Sequence, residues 1–168
     1  MKQREGKKTS TVIVRDLKEL ASFAKSFSAT LKGGEVVALS GPLGAGKTAF
    51  VQELGKALGV RERITSPTFT LMHVHRTASR QSRVASRPGT RNQAPGTRLT
   101  RLVHIDAYRL SGAKALTGIG ALDEFGRKDT VVLIEWAAKV RRAIPKDAIW
   151  IDIVPQKDGS RLITVGSR

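Results

Sequence analysis

The octapeptide Gly41-Pro42-Leu43-Gly44-Ala45-Gly46-Lys47-Thr48 places four residues between a glycine and a Gly-Lys-Thr triplet. That spacing is the phosphate-cradling loop of P-loop proteins. Glycines let the backbone wrap closely around an anion, and successive N–H groups with the following helix N-terminus point at it. The flanks agree. Val36-Val37-Ala38-Leu39 lacks polar alternation and reads as a fully buried strand. From Thr48 to Leu58, Phe50, Val51, Leu54, Ala57 and Leu58 recur at helical spacing, and Gly59 is placed to end the helix.

Outward from this core, Thr11–Val14 is strand-like and Asp16 can cap a helix that begins at Leu17 and stops at Gly33-Gly34. Ser66-Pro67-Thr68-Phe69-Thr70-Leu71 reads as extended, because the residue before a proline avoids the helical region. Met72-His73-Val74-His75 continues it as a strand. Leu102–Asp106 and Val131–Glu135 are apolar strands that each end in a carboxylate. A helical region over Ala113–Phe125 is broken by Gly118 and Gly120, and Ala137–Arg142 forms a short helix before Pro145. Ala148–Val154 and Arg161–Val165 flank Lys157-Asp158-Gly159-Ser160 as an antiparallel hairpin. Strands alternating with helices predict one α/β domain over 1–168. Its sheet is largely parallel and flanked by helices, it closes with that C-terminal hairpin, and its ligand lies at the carboxyl ends of the strands.

The 168 residues allow one sizeable core, and 40% of them are apolar. No apolar run approaches the roughly 20 residues that span a bilayer. The charged N-terminus leads into no export signal, and there are no cysteines, so a cytoplasmic location is expected. The net charge is +16, and its distribution is uneven. Between Glu62 and Asp106 there is no acid, yet the stretch carries Arg63, Arg76, Arg80, Arg83, Arg87, Arg91, Arg98 and Arg101. Rich in Ser, Pro and Gly, 76–101 reads as a flexible basic insert. It either attracts a polyanion such as RNA or only keeps the chain soluble.

Each chemical residue has a stated task. Lys47 can reach the β- and γ-phosphates of ATP or ADP, and the Thr48 hydroxyl can ligate Mg2+. The loop from Gly41 through Pro42, Leu43, Gly44, Ala45, Gly46 and Lys47 to Thr48 and Ala49 would line the nucleotide. Asp106, ending a hydrophobic strand, is the expected second magnesium element, and Glu135 can orient or deprotonate the attacking water. His104 is expected in the core. A metal site would need it to converge with His73 and His75. Trp136 either borders the nucleotide or belongs to the core.

Four pieces taken together, Leu43–Thr48, Thr65–Leu71, His104-Ile105-Asp106-Ala107-Tyr108-Arg109-Leu110 and Glu135-Trp136, resemble the TsaE (YjeE) family. These are bacterial ATPases of tRNA threonylcarbamoyladenosine synthesis. The resemblance runs from Val12 to Val165 apart from the insert. It implies that Lys47 holds phosphates, that Thr48 and Asp106 serve magnesium, that Ser66–Thr68 is a nucleotide-sensing switch, and that Glu135 serves hydrolysis with Trp136 near the nucleotide. It also implies TsaB- and TsaD-like partners, which transfer threonylcarbamoyl to tRNA while the TsaE-like protein hydrolyses ATP. Transfer RNA itself would be met through that assembly or through the basic insert.

Two departures stand out. Where the family has Asp, this chain has Pro42; binding is expected to survive, since the phosphate donors lie nearer Gly44–Thr48. The insert replaces a short link and is expected to project as a hairpin extension near the active-site side. Two other classes fit parts of the sequence. A small-molecule kinase would use the arginine-rich insert as a lid and would yield a phosphorylated acceptor instead of free phosphate. An RNA-binding module would hold nucleotide only structurally, and its salt-sensitive RNA affinity would ignore ATP. A GTPase needs an Asn-Lys-x-Asp reader, and the sole asparagine is Asn92.

Overall fold

The computed structural model describes residues 9–80 and 99–167. Asp16 does cap the first helix, α1 (Leu17–Ser28): its carboxylate accepts from the Glu19 N–H at 2.8 Å. The second helix, α2 (Lys47–Ala57), leaves the glycine loop directly. Gly59 follows its end at φ +83°, where an added Cβ would stand 2.6 Å from that of Ala78. A third helix, α3 (Ala113–Gly118), breaks at Gly120 into a 3₁₀ turn over Ala121–Glu124, as the glycines required. Ala137–Ala143 is also 3₁₀ and is interrupted at Val140.

Seven strands form one sheet in the order β1-β7-β6-β2-β5-β4-β3. They are β1 (Ser10–Val14), β2 (Val36–Ser40), β3 (Met72–Arg80), β4 (Leu99–Asp106), β5 (Thr130–Glu135), β6 (Ile149–Pro155) and β7 (Arg161–Ser167). The centre, β6-β2-β5-β4, is parallel, while β3, β7 and β1 add antiparallel edges. Alternation along each strand divides the core between two faces. One holds Val37, Leu39, Leu102, Leu133 and Ile151 under α1 and α2, where Phe23, Phe27 and Phe50 pack with ring centroids 5.6–6.1 Å apart. The other holds Val36, Ala38, Val103, Ile105 and Ile134 under α3 and the 3₁₀ segments. The expected mixed α/β architecture is therefore present.

Three sequence readings need correction. The segment 66–71 is not extended throughout: Thr68–Thr70 is a turn, closed by the Leu71 N–H donating to the Pro67 carbonyl, with Leu71 at φ +66°. Pro67 constrains only Ser66 and leaves the residues after it free to turn. Secondly, the ends of the basic segment are regular. Arg76 pairs with Arg101 and Arg80 with Leu99, so strand structure reaches into both ends of 76–101. The remainder, 81–98, lies outside the described residues. Thirdly, that hairpin opens away from the active-site side. Met72 pairs with Ile105 beside Asp106, whereas Arg80 pairs with Leu99 at the amino end of β4. Seven residue steps along β4 separate the two ends by about 23 Å. Removing residues 81–98 and joining the strands by a short turn is therefore expected to leave nucleotide affinity within about two-fold of wild type, as checked with a fluorescent ADP analogue.

The turn from β2 into the loop depends on Gly41. It sits at φ +141°, and an added Cβ would lie 2.3 Å from the carbonyl oxygen of Ile153 on neighbouring β6. Both the conformation and the clash oppose a side chain. Gly41→Ala is expected to destabilise the protein by more than about 1 kcal/mol, seen as a lowered midpoint in urea unfolding.

Candidate functional site

The parallel strands deliver their last residues to one edge of the sheet. In register, Asp106 on β4 stands beside Glu135 on β5, and Leu39 on β2 stands on the other side of Glu135. Both carboxylates share a face with Leu102 and Leu133, the face covered by α2. The first turn of α2 thus meets the two acids. A pocket of about 380 Å³ opens there, lined by Leu43, Gly44, Gly46, Lys47, Thr48, Ala49, Ser66, Thr68, Asp106, Tyr108, Glu135 and Trp136. Of the residues expected to hold nucleotide, Gly41, Pro42 and Ala45 lie in the loop but do not line this pocket.

Lys47 is buried, and its ammonium donates to the carbonyls of Gly41 and Pro42 at 2.8 Å each. It also lies 3.8 Å from the centre of the Trp136 ring. Burial pulls the ammonium below the ordinary lysine value, and the nearby charges of Glu135 and Asp106 oppose that shift. Pro42 costs the loop little. Its carbonyl is the atom in use, taking the Lys47 bond and one from the Ala45 N–H. Trp136 lines this pocket. It is half-buried against the second core yet supports Lys47, and its ring meets Tyr108 at 5.0 Å. Tyr108 is held in turn, since the Lys139 ammonium donates to its carbonyl.

The two acids have separate partners. Asp106 Oδ2 accepts from Thr68 Oγ1 at 2.7 Å and Ser66 Oγ at 3.1 Å, and its Oδ1 accepts from the Tyr108 N–H at 2.9 Å. Ser66 and Thr68, which lead into the Thr68–Thr70 turn, are therefore tied to the carboxylate expected to serve magnesium. The Thr48 hydroxyl donates to Glu135, at 2.9 and 3.0 Å from its two oxygens, and no bond joins it to Asp106. Glu135 also pairs with His104 Nε2 at 2.8 Å. His104 is buried as expected, but its contact is polar, which the sequence reading did not foresee. The three histidines take different partners: His73 meets Thr70, His75 meets Glu62 and His104 meets Glu135.

The donor set suits a magnesium nucleotide. One hydroxyl and two carboxylates supply hard oxygen ligands, and Mg2+ usually takes one or two carboxylates plus substrate phosphates. The described residues contain no group of three or more His, Cys, Asp or Glu able to hold a metal by themselves, so phosphates would have to complete the shell. The loop leaves room for them, because an added Cβ at Gly44 would meet no atom within 4 Å.

Sequence reading missed a second cavity. It measures about 630 Å³ and lies on the β6–β7 side of the same loop, lined by Val14, Leu17, Leu20, Ala45, Gly46, Ala49, Ile153, Arg161 and Ile163 among others. Gly46 and Ala49 border both spaces. Its walls come from both ends of the chain, so no local pattern announces it.

A parallel α/β sheet, a glycine loop feeding a helix, a buried loop lysine and two strand-end acids define a P-loop nucleotide-binding protein. The family described as "Threonylcarbamoyl adenosine biosynthesis protein TsaE" matches residues 14–163. The chain belongs to this TsaE family. It is 35% identical over 153 residues to the tRNA threonylcarbamoyladenosine biosynthesis protein TsaE of Treponema pallidum, covering 91% of this chain and 97% of that protein. Against the TsaE of Streptomyces coelicolor the identity is 37% over 124 residues, covering 73% and 70%. The crystal structure of Bacillus subtilis YdiB superimposes with a TM-score of 0.67 at 27% identity, covering 98% of this chain and 88% of that one. Among the described residues no helix is long and apolar enough to cross a membrane.

Proposed function

We propose that this chain is a magnesium-dependent ATPase that supports threonylcarbamoyladenosine modification of tRNA together with TsaB- and TsaD-like partners. The observation that carries the ATPase reading is the convergence of Lys47, Thr48, Asp106 and Glu135, from three separate segments, on one pocket. The pathway rests on family membership and on the names of the relatives.

In this reading the N–H groups of Gly44–Thr48 and the Lys47 ammonium hold the phosphates, with Lys47 exchanging the Gly41 and Pro42 carbonyls for them. The apolar cavity beyond Gly46 and Ala49 takes the base. When bound, Mg-ATP supplies an electrophilic phosphorus whose charge the metal partly neutralises. Thr48 and Asp106 would hold the metal. Glu135 keeps Oε2 free of His104, so that oxygen can take the proton of the attacking water. Engaging Asp106 competes with the Ser66 and Thr68 hydroxyls, so the turn that begins at Thr68 senses an occupied site. Leu43 and Phe69, each 84% exposed on the loop and on that turn, offer apolar contact to a docking partner.

The test of the enzymatic half is ATP incubation with the purified protein, with and without small hydroxyl acceptors. Release of free phosphate that needs no acceptor supports the ATPase. A phosphorylated acceptor would replace it with the kinase reading, and nucleotide binding without turnover under any condition would sink it.

A further inference from the structure

Glu135 is only 3% exposed, and a carboxylate that deep needs its lone pairs matched. Two groups supply donors: the Thr48 hydroxyl and the ring of His104. Thr48 has one hydrogen, and in the reading above its oxygen also serves the metal. His104 has no competing task. It is fully buried on β4, across from Leu133 in register and therefore one strand away from Glu135 on the same face. An ionised carboxylate can only accept, so Nε2 carries the hydrogen of the 2.8 Å bond. The other ring nitrogen, Nδ1, is buried without a hydrogen-bond partner. The ring therefore serves Glu135 alone through hydrogen bonding.

We propose that His104 is a positioning residue for Glu135: its Nε2–H pins Oε1, leaving Oε2 and the Thr48 hydroxyl aimed into the nucleotide pocket. This rests on the reading that the pocket takes a magnesium nucleotide. The role belongs to the metal-bearing state, because His104 does not line the pocket and its hydrogen bond goes to Glu135, with none to the loop or to Lys47. Its loss should spare the phosphate contacts of the loop while disturbing whatever depends on the carboxylate. Glu135 in turn holds the Thr48 hydroxyl, so His104 acts on the metal through both, and partners that orient ligating groups typically contribute about 10–100-fold to metal affinity or activity.

The experiment compares His104→Gln, whose amide N–H can stand near the position of Nε2, with His104→Leu and with His104→Asn, whose amide falls short. Affinity for a fluorescent ADP analogue is measured in EDTA and in Mg2+, alongside ATP turnover and thermal unfolding. In EDTA all variants should bind within about two-fold of wild type. In Mg2+, His104→Leu and His104→Asn should lose most of the magnesium-dependent gain and about 10–100-fold in turnover, with His104→Gln recovering most of both. If His104→Leu does not fold, the Gln–Asn contrast carries the test. Wild-type behaviour of the Asn or Leu variant would overturn the proposal. So would a Gln variant no better than Asn, or an equal loss in EDTA, which would mark His104 as a packing residue. A magnesium gain in wild type without phosphate release, either alone or with the partners and tRNA added, would refute the hydrolase reading and leave the binding comparison to decide this one. No magnesium gain in wild type would overturn the positioning role even if turnover were measured.

Discussion

Lys47→Ala is expected to weaken ADP and ATP binding by about 100-fold or more, since a hydrogen bond to a charged group contributes about 1.5–3 kcal/mol and the lysine can offer more than one. The loss has two sources. The phosphates lose their ammonium, and the loop loses its own tie, because the same nitrogen joins the carbonyls of Gly41 and Pro42 and rests on Trp136. Titration calorimetry with ADP in EDTA isolates this effect from the metal. Binding within ten-fold of wild type would mean that the loop amides hold the nucleotide without the lysine. In that case the proposed exchange of carbonyls for phosphates would be wrong.

The second large effect concerns Glu135. Glu135→Gln keeps the shape of the side chain and can still accept from Thr48 Oγ1 or His104 Nε2, but it cannot take a proton. Hydrolysis is expected to fall by about 10²–10⁴-fold, the range for a positioned general base, while affinity for ADP in EDTA stays within about three-fold. Single-turnover phosphate release measures the chemical step directly. Glu135→Ala is a harsher change, because it leaves the buried His104 donor and the half-buried Thr48 hydroxyl without their acceptor, and it should also lower stability by about 1–3 kcal/mol. Equal turnover by wild type and Glu135→Gln would remove the carboxylate from the chemistry.

These two residues were legible in the sequence because their signals are local. A loop of fixed spacing between an apolar strand and an amphipathic helix specifies Lys47 and Thr48. An apolar strand ending in an acid marks Asp106 and Glu135, and the rule that ligands lie at strand carboxyl ends brings them together. What the sequence hid depends on register and strand direction. His104 sits among apolar neighbours and reads as core until β4 is laid beside β5. The turn at Thr68–Thr70 is held by Asp106, a side chain on another strand, so proline chemistry alone could not reveal it. The basic segment was expected near the site because it lies between the switch-like residues and Asp106 in sequence. Since β3 runs antiparallel to β4, the chain is carried to the far end before it returns. The apolar cavity joins α1 to β6 and β7 and has no signature in any one stretch.

The central claim is tested most directly by ATP turnover of the purified chain, alone and then with TsaB- and TsaD-like proteins and substrate tRNA. Low turnover alone, a clear rise when all three are added, and threonylcarbamoyladenosine accumulating in the tRNA would be the expected result. Turnover and tRNA modification that are both indifferent to mixing this chain with the partners would contradict the account.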